Sequence, residues 1–280
     1  MNTNIPLVSI IIPAYNHEKY VQETLDSIVN DSYPNKEIVI IDDGSTDKTD
    51  NVVEEWIKNH NEIVVQYKSR ENKGVSTTLN ELINVAQGEY ICIVASDDYL
   101  LDNGIAKRVE YLQQNVSKRA VFGDCIGVGN DNTIMYDSIL KDYYHADIKK
   151  YKNENLLRNE IIMNWSVPGP VFLARKDLYI RYNIQYNENL IGEDWDMYLK
   201  LVAKDYLGFI DFKVSAYRIH DSNTCVVLGK KILVDRIKTI LHNMYLFKFK
   251  DKIKMMYILS KLVIVYMIKH VINTIEKSDG

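Results

Sequence analysis

The chain has 280 residues, 46% of them hydrophobic and 26% charged, and a formal net charge of −4. That length and balance suffice for a sizeable core and exclude a disordered, collagen-like or disulfide-scaffold chain. The charge is uneven: residues 229–280 hold 11 Lys/Arg against 4 Asp/Glu, a net of +7, which leaves −11 on residues 1–228.

Val8–Ile12 is a continuous apolar run ending at Pro13, the pattern of a strand buried on both faces. It is too short for a signal core, and no basic segment precedes it, so no secretory signal is expected. A helix should follow from about His17, with Val21, Leu25 and Ile28 on one face. Glu37–Ile41 is the next strand. Asp47 then reads as the N-cap of a helix that turns Val52, Val53, Trp56 and Ile57 inward. Ile63–Tyr67 is a third strand. The helix carrying Leu79, Leu82, Ile83 and Ala86 should stop near Gly88, read as its C′ residue. Tyr90–Val94 is a fourth strand, with Cys92 as a small core residue. Cys92, Cys125 and Cys225 are odd in number and fit no metal-site spacing, which points to a reducing, cytoplasmic setting. Strand–helix alternation of this kind predicts an α/β fold with a mainly parallel, doubly wound sheet.

A helix is expected from Asp102 to about Asn115, with Ile105, Val109 and Leu112 inward. Beyond it the alternation loosens. Ala120–Val128 and Thr133–Tyr136 read as a hairpin around residues 129–132. Leu156–Met163 reads as a helix, Val171–Ala174 as a strand and Asp194–Lys204 as a helix. Phe209–Phe212 and Val214–Ile219 read as two strands. The last fifty residues look helical, with a stripe of Leu233, Ile237, Ile240, Leu241 and Met244. A basic cluster, Lys248–Lys254, precedes an apolar run, Met255–Ile268, interrupted by Lys261. That run falls short of the ~20 residues a membrane-spanning helix needs. Basic and apolar residues together predict contact with an anionic surface, first a membrane, with packing on the body or a homodimer as the alternatives; no nucleic-acid partner is expected.

In an open parallel sheet, ligands bind beyond the carboxyl ends of the strands. Those ends carry Pro13-Ala14-Tyr15-Asn16, Asp42-Asp43-Gly44-Ser45 and Ala95-Ser96-Asp97-Asp98. Asp42-Asp43 is equally well read as a turn. Asp97-Asp98 calls for a cation, because two like charges at a sheet edge repel; a hard divalent ion with oxygen ligands, Mg²⁺ or Mn²⁺, would hold them. No GxGxxG or GxxxxGK[ST] loop is present, which disfavours dinucleotide enzymes and P-loop NTPases. Gly192-Glu193-Asp194-Trp195-Asp196 opens a helix. Asp194 is read either as a cap or as a general base kept ionised by the helix macrodipole. His220, in Tyr217-Arg218-Ile219-His220, is a structural histidine or a third metal ligand.

Taken in order, these segments resemble the inverting nucleotide-sugar glycosyltransferases of family 2, with the GT-A fold. The resemblance rests on residues 8–16, 38–47, 71–74 (Glu-Asn-Lys-Gly), 88–91 (Gly-Glu-Tyr-Ile), 96–98, 192–196 and 217–220, and runs from about Val8 to Thr224. It implies a GT-A sheet flanked by helices, with residues 1–100 as the nucleotide-sugar half, 101–226 as the acceptor half with the base, and 227–280 as a helical extension. It implies that Pro13, Ala14, Tyr15 and Asn16 line the nucleotide pocket and that Asp42 accepts from uracil. Arg70 and Lys73 would lie near base or diphosphate, and Asp97 near the ribose. Asp98 would hold the metal, with His220 completing the site. Asp194 would be the catalytic base, with Glu193 beside it. The implied donor is a UDP-sugar. The implied acceptor is a saccharide hydroxyl, on a lipid carrier as in bacterial surface-polysaccharide synthesis, at the cytoplasmic face of the membrane. Ala95 departs from the Asp-x-Asp-Asp of many relatives, which leaves fewer protein carboxylates for the metal. The alternatives are a sugar-nucleotide nucleotidyltransferase, which would normally carry a glycine-rich basic loop after strand one, and a non-catalytic nucleotide-sugar-binding protein.

Overall fold

The structure is a computed structural model that describes residues 5–221, 223 and 229–278. Four parallel strands come first: β1 (Val8–Ala14), β2 (Lys36–Asp42), β3 (Val64–Ser69) and β4 (Tyr90–Ile93). Between them lie α1 (Val21–Asn30), α2 (Thr49–Asn59) and α3 (Val75–Val85). The isoleucine run of β1 is buried on both faces, as its lack of alternation requires. Ile10 and Ile12 join the core under α1 and α2, and Ile11 joins the core under α3. Each fully buried aliphatic side chain here contributes roughly 1.5–3 kcal/mol.

The second half is mixed. One short strand and a helix, β5 (Tyr99–Leu100) and α4 (Gly104–Gln114), lead into β6 (Ala120–Val128), which pairs antiparallel with β7 (Ile134–Tyr136) as the expected hairpin. The chain then runs through α5 (Ile148–Tyr151), α6 (Glu154–Met163), β8 (Phe172–Arg175), α7 (Asp177–Ile180), α8 (Glu193–Ala203) and β9 (Leu207–Arg218). The sheet order is β3-β2-β1-β4-β8-β6-β9-β5. β8 is antiparallel to both β4 and β6, so the sheet is parallel only in its first half and along β6–β9.

Two sequence expectations need correcting. The two late strands are one, β9, whose pairing with β6 shifts register around Asp124; Lys213 interrupts the apolar pattern there without ending the strand. Gly88 does not terminate α3, which closes at Ala86 with an extended backbone. Gly88 is small because β1 passes against it: a β-carbon there would lie 2.6 Å from Ser9 N.

The C-terminal region is helical as expected, with α9 (Gly229–Asn243) and a 30-residue α10 (Phe249–Ser278). Met255 is buried, and Ile258, Leu259 and Leu262 pack on the core, whereas Ile264 to Ile268 are all exposed. Among the described residues no helix is long and apolar enough to cross a membrane. Cys92 and Cys125 are buried and unbonded; Cys225 and Thr224 lie outside the described residues.

Candidate active site

The loops after β1 and β2 are tied together by backbone and side-chain hydrogen bonds. Asp43 N donates to Ala14 O at 2.8 Å, Asn16 N to Ser45 Oγ at 2.9 Å, and Thr46 N to Asn16 Oδ1 at 2.7 Å. Asp47 does work at the start of α2, since its Oδ1 accepts from Thr49 N at 2.9 Å; its other oxygen reaches across to Glu18 N. The turn after Asp43 needs glycine: Gly44 has φ +75°, and a β-carbon would meet Asn72 N at 2.7 Å. Tyr15 and Asn16 are exposed, Pro13 half-buried and Ala14 buried, so this segment forms a wall beside an open space.

Asp42 is fully buried. Its Oδ1 accepts from Ser45 N at 2.7 Å, while Oδ2, equally buried, has no partner. A buried acceptor without a donor costs about 1–3 kcal/mol, so this oxygen suits a ligand N–H. Asp43 is a buttress rather than a ligand group. It accepts from Lys73 N (2.8 Å) and Gly74 N (2.9 Å) and pairs with the Arg70 guanidinium. Arg70 also binds Glu81 at 3.0 Å and Thr78 at 2.9 Å, and Lys73 binds Glu81 at 2.9 Å. Both cations therefore stand beside the Asp42 pocket, Arg70 sequestered and Lys73 half-exposed.

At the end of β4, the geometry differs from the sequence expectation. Asp97, rather than Asp98, faces His220: His220 Nε2 lies 2.9 Å from Asp97 Oδ2. His17 Nε2 is 3.5 Å from the same oxygen, and its Nδ1 bonds Ser96 Oγ at 2.8 Å. Ligand atoms of His17, Asp97 and His220 all lie within 4.8 Å of one another. Asp98 turns away, accepting the Arg218 amide at 2.8 Å. Burial, reinforced by the Asp97 charge, holds Asp98 well above the usual carboxylate range, and burial lowers His17. Two imidazoles and one carboxylate suit Mn²⁺ better than Mg²⁺, which prefers oxygen.

Arg218, which the sequence reading quoted but gave no role, is the hub of this region. It is 1% exposed and donates through Nε to Asp97 O (2.9 Å), through Nη1 to Gly129 O (2.8 Å) and through Nη2 to Glu23 (2.5 Å). Tyr20 lies under its guanidinium and stacks on His220. The signal was the two-residue spacing in Arg218-Ile219-His220, which puts both side chains on one face of a strand end. Arg218→Met strands the buried Asp97 carbonyl and the half-buried Gly129 carbonyl and removes the Glu23 pair, and should lower stability by roughly 2–5 kcal/mol, a Tm drop on the order of 10 °C by calorimetry.

Asp194, in the first turn of α8, lies at the same edge of the sheet. Because β8 is antiparallel to β4, its entry loop, Pro168–Val171, stands over the end of β4 from which Ser96–Asp98 extend. A β-carbon at Gly169 in that loop would lie 4.0 Å from Asp194 Oδ2. The segment before α8 is pinned to the first half, with Ser76 Oγ donating to Leu190 O at 3.2 Å. The helix macrodipole does not dominate Asp194: burial pushes it up to about 6, and Glu193, next to it, is pushed well up by burial and by the Asp194 charge. Trp195 packs in the core with its Nε1 on Ile161 O, at 2.9 Å.

The C-terminal ends of the strands thus carry an acceptor for a ligand N–H and a three-residue metal-type cluster, and the start of α8 adds a half-buried carboxyl of raised affinity for protons. Residues 9–175 match the model of "Glycosyl transferase family 2". The chain is 29% identical over 257 residues to glycosyltransferase GlyA of Streptococcus pneumoniae serotype 4, covering 85% of this chain and 35% of that protein, so it spans about a third of that relative's length. Two solved structures share the fold. One is S. aureus TarS 1–349 in complex with UDP-GlcNAc, with TM-score 0.67, 19% identity and coverage of 91% of this chain and 71% of that one. The other is the mannosyltransferase PcManGT of Pyrobaculum calidifontis in complex with GDP-Man and Mn²⁺, with TM-score 0.65, 20% identity and coverage of 87% and 65%. With its GT-A sheet and a family match over more than half its length, the chain belongs to glycosyl transferase family 2 and is a glycosyltransferase.

Proposed function

We propose that the chain moves a sugar from a UDP-sugar to an acceptor hydroxyl in a single, inverting displacement. The observation that carries this reading is the placement of Asp194: a half-buried carboxyl, its pKa raised by desolvation, beside a loop that overhangs the Asp97 end of β4. In the proposed complex, Pro13–Asn16 flank the base and Asp42 Oδ2 accepts the uracil N3–H. Asp97, His220 and His17 hold a divalent cation, with Mn²⁺ favoured. When bound, that cation offsets the negative charge gathering on the departing diphosphate. Asp194 takes the acceptor proton, with Glu193 keeping the site's charge balance. Attack opposite the leaving group turns an α-linked donor into a β-linked product. The division into a donor half (1–100), an acceptor half (101–226) and a helical extension (227–280) fits these roles. The donor named in the TarS complex, UDP-GlcNAc, and the GDP-Man and Mn²⁺ of PcManGT support a nucleoside-diphosphate-sugar donor and a metal of this kind.

UDP with Mn²⁺ should raise Tm by roughly 5–10 °C at a hundredfold excess over Kd, by more than the separate shifts combined. GDP should do less, because only Oδ2 of Asp42 is without a partner, which matches the single uracil N3–H rather than the paired N1–H and N2–H donors of guanine. Equal shifts for GDP, or additive shifts for UDP and Mn²⁺, would count against the reading.

The acceptor is proposed to be a saccharide on a lipid carrier, reached from the membrane surface. Phe249, Ile253, Met256, Tyr257 and Ile264–Ile268 of α10 are exposed, and Lys250, Lys252, Lys254 and Lys261 lie among them. At the start of this helix a cleft of about 600 Å³ is lined by Arg158, Asp205, Lys248, Phe249, Lys250 and Lys254, among others. Apolar side chains beside lysines suit an anionic bilayer interface. Each lysine near such a surface contributes about 1 kcal/mol, so changing Lys250, Lys252 and Lys254 together to Gln should weaken partitioning into phosphatidylglycerol vesicles on the order of a hundredfold. Flotation unaffected by the change, or a stable dimer in sedimentation that hides this face, would replace membrane contact with the alternative partner.

A further inference from the structure

The C-terminal helices do more than cover the body. Asp235 of α9 is 4% exposed, and its Oδ2 accepts the backbone amides of Ile191 (3.1 Å) and Gly192 (2.7 Å). These are the last two amides before α8, whose first turn carries Glu193 and Asp194. A β-carbon at Gly192 would lie 3.3 Å from that oxygen, so the backbone is drawn close to the carboxylate. The opposite flank of the same segment is held by α3. Asn80 exchanges hydrogen bonds with Tyr186 O and N (3.0 and 3.1 Å), and Ser76 reaches Leu190 O. The span from 186 to 192 is therefore fixed from two sides, by the first half of the fold and by the C-terminal extension. Farther along α8, Asn243 of α9 donates to Asp196 at 2.6 Å and to Thr239 O, a second link between the two helices that does not touch the loop.

We propose that Asp235 is a positioning residue for sugar transfer: by holding the amides of Ile191 and Gly192 it sets where Asp194 sits relative to the bound donor, so that the C-terminal extension is part of the transfer machinery. This inference rests on the assignment of Asp194 as base. A carboxylate suits the task because one oxygen accepts two amides with little angular freedom, and a displacement of about 1 Å at a reacting group can cost on the order of a hundredfold in rate. No acid–base role is assigned to Asp235 itself.

The test uses the full chain, Mn²⁺ and a panel of UDP-Glc, UDP-Gal, UDP-GlcNAc and UDP-GlcA, following UDP release with water or added saccharide as acceptor, together with amide hydrogen exchange and UDP binding. Asp235→Ala should lower kcat about a hundredfold on whichever donor turns over. Donor KM and UDP affinity should stay within twofold, and exchange should speed up at residues 190–194 but not along the rest of α8. Asp235→Asn, which keeps an acceptor at the same reach, should restore most of the rate; Asp235→Glu, which keeps the charge but moves the oxygen, should not. Asn243→Ala, at the other link between α8 and α9, should lower Tm with kcat nearly unchanged. Should Asp235→Ala fail to fold, the Asn and Glu variants still decide between reach and charge. Equal kcat losses in Asp235→Ala and Asn243→Ala, or unaltered exchange at 190–194, would overturn the inference. A failure of the base assignment would show separately, as transfer surviving Asp194→Asn.

Discussion

Replacing Asp194 with Asn should cut sugar transfer about 10³-fold, within the range that a positioned general base supplies, while UDP affinity stays unchanged. The substitution keeps the size of the side chain and removes its ability to take a proton. Among the described residues Asp194 Oδ2 is the one atom beyond the chain neighbours that comes within 4.0 Å of a β-carbon at Gly169, and the adjacent Glu193 is pushed well above its ordinary range by burial and the Asp194 charge. The same carboxyl fixes a pH dependence. With its pKa pushed up to about 6 by burial, Asp194 is ionised, and able to act as base, only above that value. Transfer should therefore rise with pH through about 6 and flatten above it. Stability should move the other way. The folded-state pKa lies above the ordinary 3.8, so the folded protein binds more protons than the unfolded chain between about 4 and 6, and stability falls as pH rises through that window. Asp194→Asn should accordingly be no less stable than the parent at neutral pH. A rate profile measured beside chemical denaturation at each pH reads both trends; a flat acid limb, or transfer within tenfold of the parent, would sink the assignment.

Asp97→Asn should have the next largest effect, a loss on the order of 10²–10³ in kcat/KM, comparable with removing one preorganised electrostatic contact at a leaving group. Among the described residues Asp97 is the carboxylate that both His220 and His17 approach, so its charge is what recommends the cluster to a cation. The variant should also lose the excess Tm shift that UDP and Mn²⁺ give together, while keeping the shift from UDP alone. Asp98→Asn is the discriminating partner. Asp98 faces the Arg218 amide, which an Asn oxygen accepts equally well, so this variant should keep the UDP–Mn²⁺ synergy. If Asp98→Asn lost the synergy and Asp97→Asn kept it, the ligand role would return to Asp98 as the sequence first suggested.

That exchange between neighbours shows where sequence reasoning stops. The first hundred residues were legible because isoleucine-rich runs, helical stripes and turn residues all agreed, and β1 to β4 fall within a residue or two of their expected bounds. The edge that carries the site followed from the topology of a parallel sheet. What a sequence does not encode locally is which of two adjacent aspartates on a loop turns inward: that is decided by Arg218, 120 residues away, whose amide captures Asp98. The role of His17 was hidden for the same reason. It follows Pro13–Asn16 immediately, yet only the folding of β9 beside β6 brings His220 to the oxygen that His17 also approaches. At Asp194 the helix terminus contributes under ~1 kcal/mol at the surface, and the desolvation that raises its pKa outweighs it. β9 reads from sequence as two strands because Lys213 interrupts the apolar pattern; a strand tolerates it here, where the register shifts and Lys213 pairs with Asp137.

In the proposed complex, acids from two distant stretches of sequence, Asp97 and Asp194, face one bound donor. Crystals of the protein grown with UDP and Mn²⁺ and measured at the manganese absorption edge test this directly. The anomalous peak should fall against Asp97 Oδ2 and His220 Nε2 with the diphosphate beside it, and the Asp194 carboxyl should face the open side of the diphosphate. A peak bound elsewhere, or an Asp194 screened from the nucleotide by intervening chain, would contradict it.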